Sequence, residues 1–139
     1  MKISSKNIVW IAFYLLCSGF ISTTTYFKSR QSGSDWIAPK EAANLKNPLS
    51  INENVIKEGK KMFTKMCAIC HGAKGKGDGV AGAALNPKPT NLTTAKVQDQ
   101  KDGELFWKIT EGRSPMASYK TILTEDQRWQ LVSYMRTFK

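Results

Sequence analysis

The sequence has little histidine and few acidic residues. Only one of its 139 residues is histidine, and 11 Asp and Glu stand against 21 Lys and Arg, for a formal net charge of +10. A chain of this length leaves room for one domain with appendages and excludes large multidomain enzymes. Apolar residues make up 41% of it, which suffices for one small core and argues against bulk disorder. The positive charge admits nucleic acid, an anionic membrane or an acidic protein as partner, so the motifs must decide.

The N-terminal segment lacks charge over a long stretch. No charged residue occurs between Lys6 and Lys28, and residues 8–21 are strongly apolar. As a helix, this stretch would reach about 31 Å, close to the roughly 30 Å hydrocarbon core of a bilayer. Small residues in the pattern of a signal cleavage site are also missing. We predict that residues 1–27 form a single-pass anchor in the cytoplasmic membrane, with the rest on the periplasmic side; a cleaved signal and a soluble periplasmic protein are the alternative.

Residues 28–48 are polar and contain several serines and a glycine, which predicts a tether between the anchor and a domain. Trp36 stands out in this segment, and we expect its ring to pack on the surface of the following domain.

Apolar residues at helical spacing predict an all-α domain over residues 49–139. A first helix begins at the capping box Ser50–Glu53, a second covers Asp102–Glu111 and ends at Gly112, and a last follows the capping box Thr124–Gln127. About 35 residues between the first two helices carry no strand pattern, which is more loop than a compact domain normally tolerates. We therefore expect a group other than polypeptide to fill part of the core.

The motif Cys67-Ala68-Ile69-Cys70-His71 is the attachment sequence for c-type haem. Thiols at i and i+3 lie on one side of a helical turn, where each adds to a haem vinyl group. The next residue is then held beneath the ring as an iron ligand. We predict one covalently attached haem c on Cys67 and Cys70, with His71 as an axial ligand.

Other uses of the motif fit less well. Structural zinc needs four ligands, and outside the apolar N-terminal run only Cys67, Cys70 and His71 supply sulfur or imidazole. A thioredoxin-like dithiol requires a βαβ context that this helical sequence lacks. A disulfide between the two cysteines would close a loop too short to stabilise a fold much.

The sixth iron ligand has to be methionine, lysine, water or nothing, because His71 is the only histidine. Met62, Met66 and Met135 fall on helical stripes and are expected to be core residues. Met116 differs, because it lies in a non-helical loop 45 residues after His71, directly after Pro115. We predict Met116 as the second axial ligand; the alternative is that it is a surface methionine or a packing methionine.

These features resemble class I cytochrome c of the bacterial monohaem type over residues 49–139. The resemblance rests on the attachment motif, the glycine-rich stretch after it and these further positions: Gly59, Phe63, Met116, Trp129, Leu131 and Tyr134. It implies N- and C-terminal helices that cross over the haem, closely packed at Gly59 against Tyr134. It also implies a proline carbonyl, of Pro87 or Pro89, that accepts the ring N–H of His71. Ala117 departs from the proline that many relatives have after the methionine.

His and Met ligands would fill both axial positions, which predicts a one-electron carrier of a respiratory chain rather than an enzyme. The alternative is a haem enzyme or gas sensor with an open or labile sixth position, for which only Arg113 and Tyr119 would be available as distal polar groups. Without Lys2 and Lys6 the charge is still +8. We expect docking to an acidic reductase or oxidase, and no nucleic-acid partner. The basic residues expected near the haem edge are Lys65, Lys74, Lys76, Lys88, Arg113 and Lys120.

Overall fold

The computed structural model describes residues 35–138. Five α-helices occur there, numbered here α1 to α5: Glu53–Met62, Ala68–His71, Ala95–Gln98, Asp102–Glu111 and Glu125–Met135. Shorter 3-10 helices cover Lys40–Asn44, Val80–Ala84 and Arg136–Phe138, and a π-helical turn, Phe63–Cys67, joins α1 to α2. This part of the chain forms no strand, so the predicted all-α fold is confirmed for it.

The predicted anchor or signal over residues 1–27 lies outside the described residues. Between residues 35 and 138 no helix is long and apolar enough to cross a membrane.

Helix α1 begins later than the sequence predicts. Its N-cap is Asn52, whose side-chain oxygen accepts a hydrogen bond from the backbone N–H of Val55 at 3.1 Å. The Asn52 amide also donates to the backbone carbonyl of Ser50 at 3.1 Å. The prediction that Ser50 caps the helix is therefore wrong. Asparagine caps as well as serine does, and here its amide satisfies a helix N–H and a loop carbonyl at once.

The other two predicted helices are confirmed. Helix α4 has the predicted limits and ends at Gly112, which adopts a φ of 65°. Helix α5 begins with the predicted capping box, in which the Thr124 hydroxyl accepts from the Gln127 N–H at 3.2 Å and the Gln127 side chain accepts from the Thr124 N–H at 2.9 Å.

Helices α1 and α5 cross at Gly59, as the family resemblance implies. A Cβ atom on Gly59 would lie 2.1 Å from the carbonyl oxygen of Gln130 and 2.9 Å from Cβ of Tyr134, so any larger residue would push the helices apart. Just beyond the crossing, the rings of Phe63 and Tyr134 meet edge to face at 5.5 Å. The largest fully buried side chains of the core are Phe63, Trp129, Leu131 and Val132.

Candidate haem site

A cavity of about 290 Å³ lies between the cysteine motif, the loops after it and the helices α4 and α5. Most of its wall is apolar, from Phe63, Leu92, Val97, Leu105, Ile109, Leu131 and Met135. One part of the lining, called here the polar end, consists of Asp35, Trp36, Lys96, Gln100, Lys108 and Arg113. The remaining lining residues are Cys67, His71, Pro87, Thr90, Met116 and Tyr119.

The π-helical turn Phe63–Cys67 leads the chain into the motif. Such turns are frequent at functional sites, where the extra residue changes the direction of the side chains that follow. Here the turn brings Cys67 into the lining, and α2 carries Cys70 and His71 directly after it. The two cysteines are not bonded to each other, and both are partly buried. Burial raises the pKa of the Cys67 thiol to about 12, with Cys70 adding to the rise.

The imidazole of His71 is oriented by a backbone carbonyl. Its Nδ1 lies 3.1 Å from the carbonyl oxygen of Thr90, so Nδ1–H donates and Nε2 is left to bind a metal. Burial lowers the pKa of His71 and favours the neutral ring that binds metals, although the Thr90 hydrogen bond acts in the opposite direction.

The prediction that a proline carbonyl accepts the hydrogen bond from His71 is wrong. The carbonyl that accepts from His71 belongs to Thr90, and neither Pro87 nor Pro89 provides it. The carbonyl oxygen of Pro89 instead faces Gly77, where an added Cβ would meet it at 2.5 Å. The next carbonyl along the chain therefore reaches the imidazole, while Pro87 contributes to the cavity wall.

Met116 lines the same cavity as Cys67 and His71. It belongs to a tight turn in which Arg113 and Met116 exchange backbone hydrogen bonds of 3.0 and 2.8 Å. A further bond, from the Tyr119 N–H to the Ile109 carbonyl at 3.1 Å, fastens the end of this loop to α4. The loop thus presents a thioether to the cavity from a part of the chain far from the motif.

The other three methionines of the domain lie at different positions relative to the cavity. Met62 and Met66 pack against the core outside the cavity lining, as expected. Met135 is a buried core residue, as expected, but it also contributes to the lining. The described residues therefore place two thioethers, of Met116 and Met135, at the cavity.

Tyr119 and Arg113, the two polar side chains expected on the distal side, both line the cavity, and each interacts with another part of the chain. The Tyr119 hydroxyl donates to the backbone carbonyl of Met66 at 3.3 Å. The guanidinium of Arg113 lies 5.1 Å from the centre of the Trp36 ring. Arg113 is thus partly buried, whereas the five lysines expected near the haem edge are exposed: Lys65, Lys74, Lys76, Lys88 and Lys120.

Sequence analysis missed most of the polar end. Trp36 packs on the domain as expected, yet its place in the cavity lining was not foreseen. Lys96, Gln100 and Lys108 gave no signal, because lysine and glutamine side chains usually lie in solvent. The segment before the domain packs across α4 and brings Trp36 close to Lys108, while Lys96 stays exposed in its ion pair with Asp35.

The donor set of the cavity fits a c-type haem. One wall carries the attachment thiol of Cys67 and the imidazole of His71 with its Nε2 available, and Met116 adds a thioether. The apolar lining suits a porphyrin, and basic side chains at the polar end suit its carboxylates.

Comparison with known proteins points to the same cofactor. The Cytochrome c family model matches residues 56–139, a range that contains the motif, Met116 and the helices α4 and α5. A comparison with curated proteins gives no significant match.

Among solved structures, a chain of the reducing HAO-like protein complex of Kuenenia stuttgartiensis is similar, with a TM-score of 0.56 and 28% identity over 68% of this chain. The match covers 49% of that chain, so the present chain spans about half its length. The family match covers more than half of the sequence, and the chain therefore belongs to the cytochrome c family, which implies a covalently bound haem c.

Proposed function

We propose that this protein is a one-electron carrier of the bacterial class I type, with a single haem c attached to Cys67 and Cys70. When bound, the haem supplies an Fe(III)/Fe(II) couple. The chain binds and orients the cofactor: the cysteines hold it covalently, and the Thr90 carbonyl fixes the plane of the His71 ring.

The observation that carries the proposal is that His71 and Met116 line one cavity. With these two side chains as axial ligands, no coordination position is left for a substrate, and electron transfer is the remaining chemistry. A thioether ligand and an apolar lining both raise the reduction potential. We therefore place the protein at the oxidising end of a respiratory chain and not among the haem enzymes.

Features of the sequence support a location and a class of partner. The uncharged N-terminal stretch favours an anchor that holds the haem domain outside the cytoplasmic membrane, where c-type haem is attached. The exposed lysines favour an acidic redox partner, such as a reductase or a terminal oxidase. The similar solved chain belongs to a protein complex. This supports a role for the present protein as a subunit of a larger redox complex, or as a partner that docks to one.

Absorption spectra of haem-loaded variants test the ligand assignment. Met116→Leu removes the thioether and keeps the volume. We expect the wild-type protein to show a low-spin haem with the weak far-red band of methionine ligation in the ferric state, and no binding of carbon monoxide in the ferrous state. Met116→Leu should lose the band and bind carbon monoxide.

Met135→Leu is the matched control, because Met135 is the second methionine among residues 35–138 that lines the cavity. This variant should keep the far-red band. Loss of the band in Met135→Leu alone would transfer the ligand role to Met135. A wild-type haem that is high-spin and binds carbon monoxide readily would instead favour an enzyme or gas sensor.

A further inference from the structure

The segment Asp35–Asn47, called here the strap, precedes the residues that match the family and is nevertheless packed onto the domain. Ala38 and Ala42 in it are 5% and 4% exposed. The carbonyl of Ala42 lies so close to α4 that a Cβ on Gly103 would come within 2.0 Å of it. At the far end of the strap, the Asn47 side chain donates to the Ser133 hydroxyl on α5 at 3.0 Å.

The start of the strap lies across the polar end of the cavity. The ring of Trp36 meets the ring of Trp107 edge to face at 6.3 Å, on α4. The preceding residue, Asp35, forms an ion pair with Lys96 of α3. Because Asp35, Trp36 and Lys96 all line the cavity, the strap bridges the gap between α3 and α4 at its polar end.

Trp36 also lies close to two cations. The Lys108 ammonium is 5.8 Å and the Arg113 guanidinium 5.1 Å from the centre of its ring. Both distances are within the range of cation–π attraction. Lys108 is partly buried beside this ring, and its burial lowers the pKa of its ammonium group.

We propose that the strap holds Trp36 as a cover over the polar end of the haem cavity, and that this cover raises the reduction potential by keeping water away. The inference rests on the haem c of the proposed function, but not on Met116 as its ligand. Ferric haem carries one more positive charge than ferrous haem, and a cavity shielded from water disfavours that charge. The shielded cations of Lys108 and Arg113 act in the same direction.

The test compares Trp36→Ala with Trp36→Phe in the haem-loaded protein. We expect Trp36→Ala to shift the equilibrium constant for reduction three- to tenfold toward the ferric state, where tenfold is about 59 mV for one electron. Trp36→Phe keeps a ring over the cavity and should retain most of the wild-type potential. The measurement is an optical redox titration at one fixed pH and ionic strength.

Ile37→Ala is the matched control, because Ile37 is the next residue of the strap and is 76% exposed. Its potential should equal that of the wild type. Should Trp36→Ala fail to retain haem, Trp36→Leu takes its place, with a smaller shift in the same direction. An unchanged potential in the variant that does fold would overturn the proposal.

The far-red band is recorded on the same samples. We expect it to persist in Trp36→Ala, since the cover does not contribute a ligand. If the band disappears together with the fall in potential, the fall comes from a lost ligand and the cover is rejected. If the band is absent from the wild type, the Met116 assignment fails, and the comparison of potentials still decides whether Trp36 is a cover.

Discussion

At the scale of single residues, Tyr119 connects two sides of the haem cavity. Its backbone N–H binds the Ile109 carbonyl on α4, and its hydroxyl donates to the Met66 carbonyl in the turn before the motif. Burial is the main reason why the pKa of Tyr119 lies above its usual value of 10. The folded state therefore prefers the neutral phenol.

This preference gives Tyr119 a pH-dependent contribution to stability. A raised folded-state pKa adds stability below the unfolded pKa of about 10, and the gain is lost as the pH rises above it. Tyr119→Phe should lower the free energy of unfolding by about 1 kcal/mol at neutral pH, the value of one hydrogen bond.

Urea unfolding of the haem-loaded protein at about pH 7 and about pH 11 measures the effect. The difference in the free energy of unfolding between wild type and Tyr119→Phe should be smaller at the higher pH. There the phenol of Tyr119 ionises in the unfolded wild-type chain and stabilises that unfolded state, whereas Tyr119→Phe has no such group. A gap of the same size at both pH values would contradict the role of the buried hydroxyl. Thr121→Ser, at an exposed position nearby, serves as the control.

At the scale of helices, the capping residues at the helix ends show where each helix starts and stops, which the spacing of apolar residues does not. Helix α4 has a sharp stop at Gly112, and α5 has a capping box in which Thr124 and Gln127 each satisfy the other. The sequence predicts Ser50 as the cap of α1, whereas the structure uses Asn52, an equally good capping residue two positions further on. Only the path of the chain into the helix settles which of them meets a free N–H group.

The two capping candidates make a direct comparison possible. Asn52→Ala should lower the free energy of unfolding by about 1 kcal/mol, because the N–H of Val55 loses its acceptor. Ser50→Ala should change it by less than about 0.5 kcal/mol, since Ser50 takes part through its backbone carbonyl. Chemical denaturation of the two variants, side by side with the wild type, provides the measurement. Equal losses in the free energy of unfolding in both variants would mean that Ser50 also caps the helix.

At the scale of the whole molecule, net positive charge should govern encounters with other redox partners. Exposed lysines surround the loops of the cavity, and their field extends about 30 Å at 0.01 M salt but only about 8 Å at 0.15 M. Oxidation of the ferrous protein by the anion ferricyanide should slow on the order of tenfold over this range of salt. Oxidation by a cationic cobalt(III) complex should become faster, and stopped-flow absorbance records both rates.

Single charge reversals separate a docking patch from a generally basic surface. Lys74→Glu, in the loop after the motif, should slow the reaction with ferricyanide more than Lys57→Glu on the exposed face of α1. Equal effects of the two substitutions would mean that only the total charge matters.

Local patterns in the sequence are enough to predict the cofactor chemistry and the main helices. Two cysteines and a histidine at fixed spacing define a haem attachment site within one helical turn, and this local geometry needs no knowledge of the rest of the fold. Helices α4 and α5 followed from apolar spacing and end signals in the same way.

Contacts between distant groups depend on how the loops and helices pack together. The acceptor for His71 proved to be Thr90 because the Pro89 carbonyl faces Gly77, a contact between two loops that no local pattern encodes. The same holds for Trp36, which reaches the cavity because the strap crosses α4. Sequence periodicity reports interactions within a turn or a helix, whereas the wall of a cavity is built from segments far apart in the chain, and their packing sets its shape.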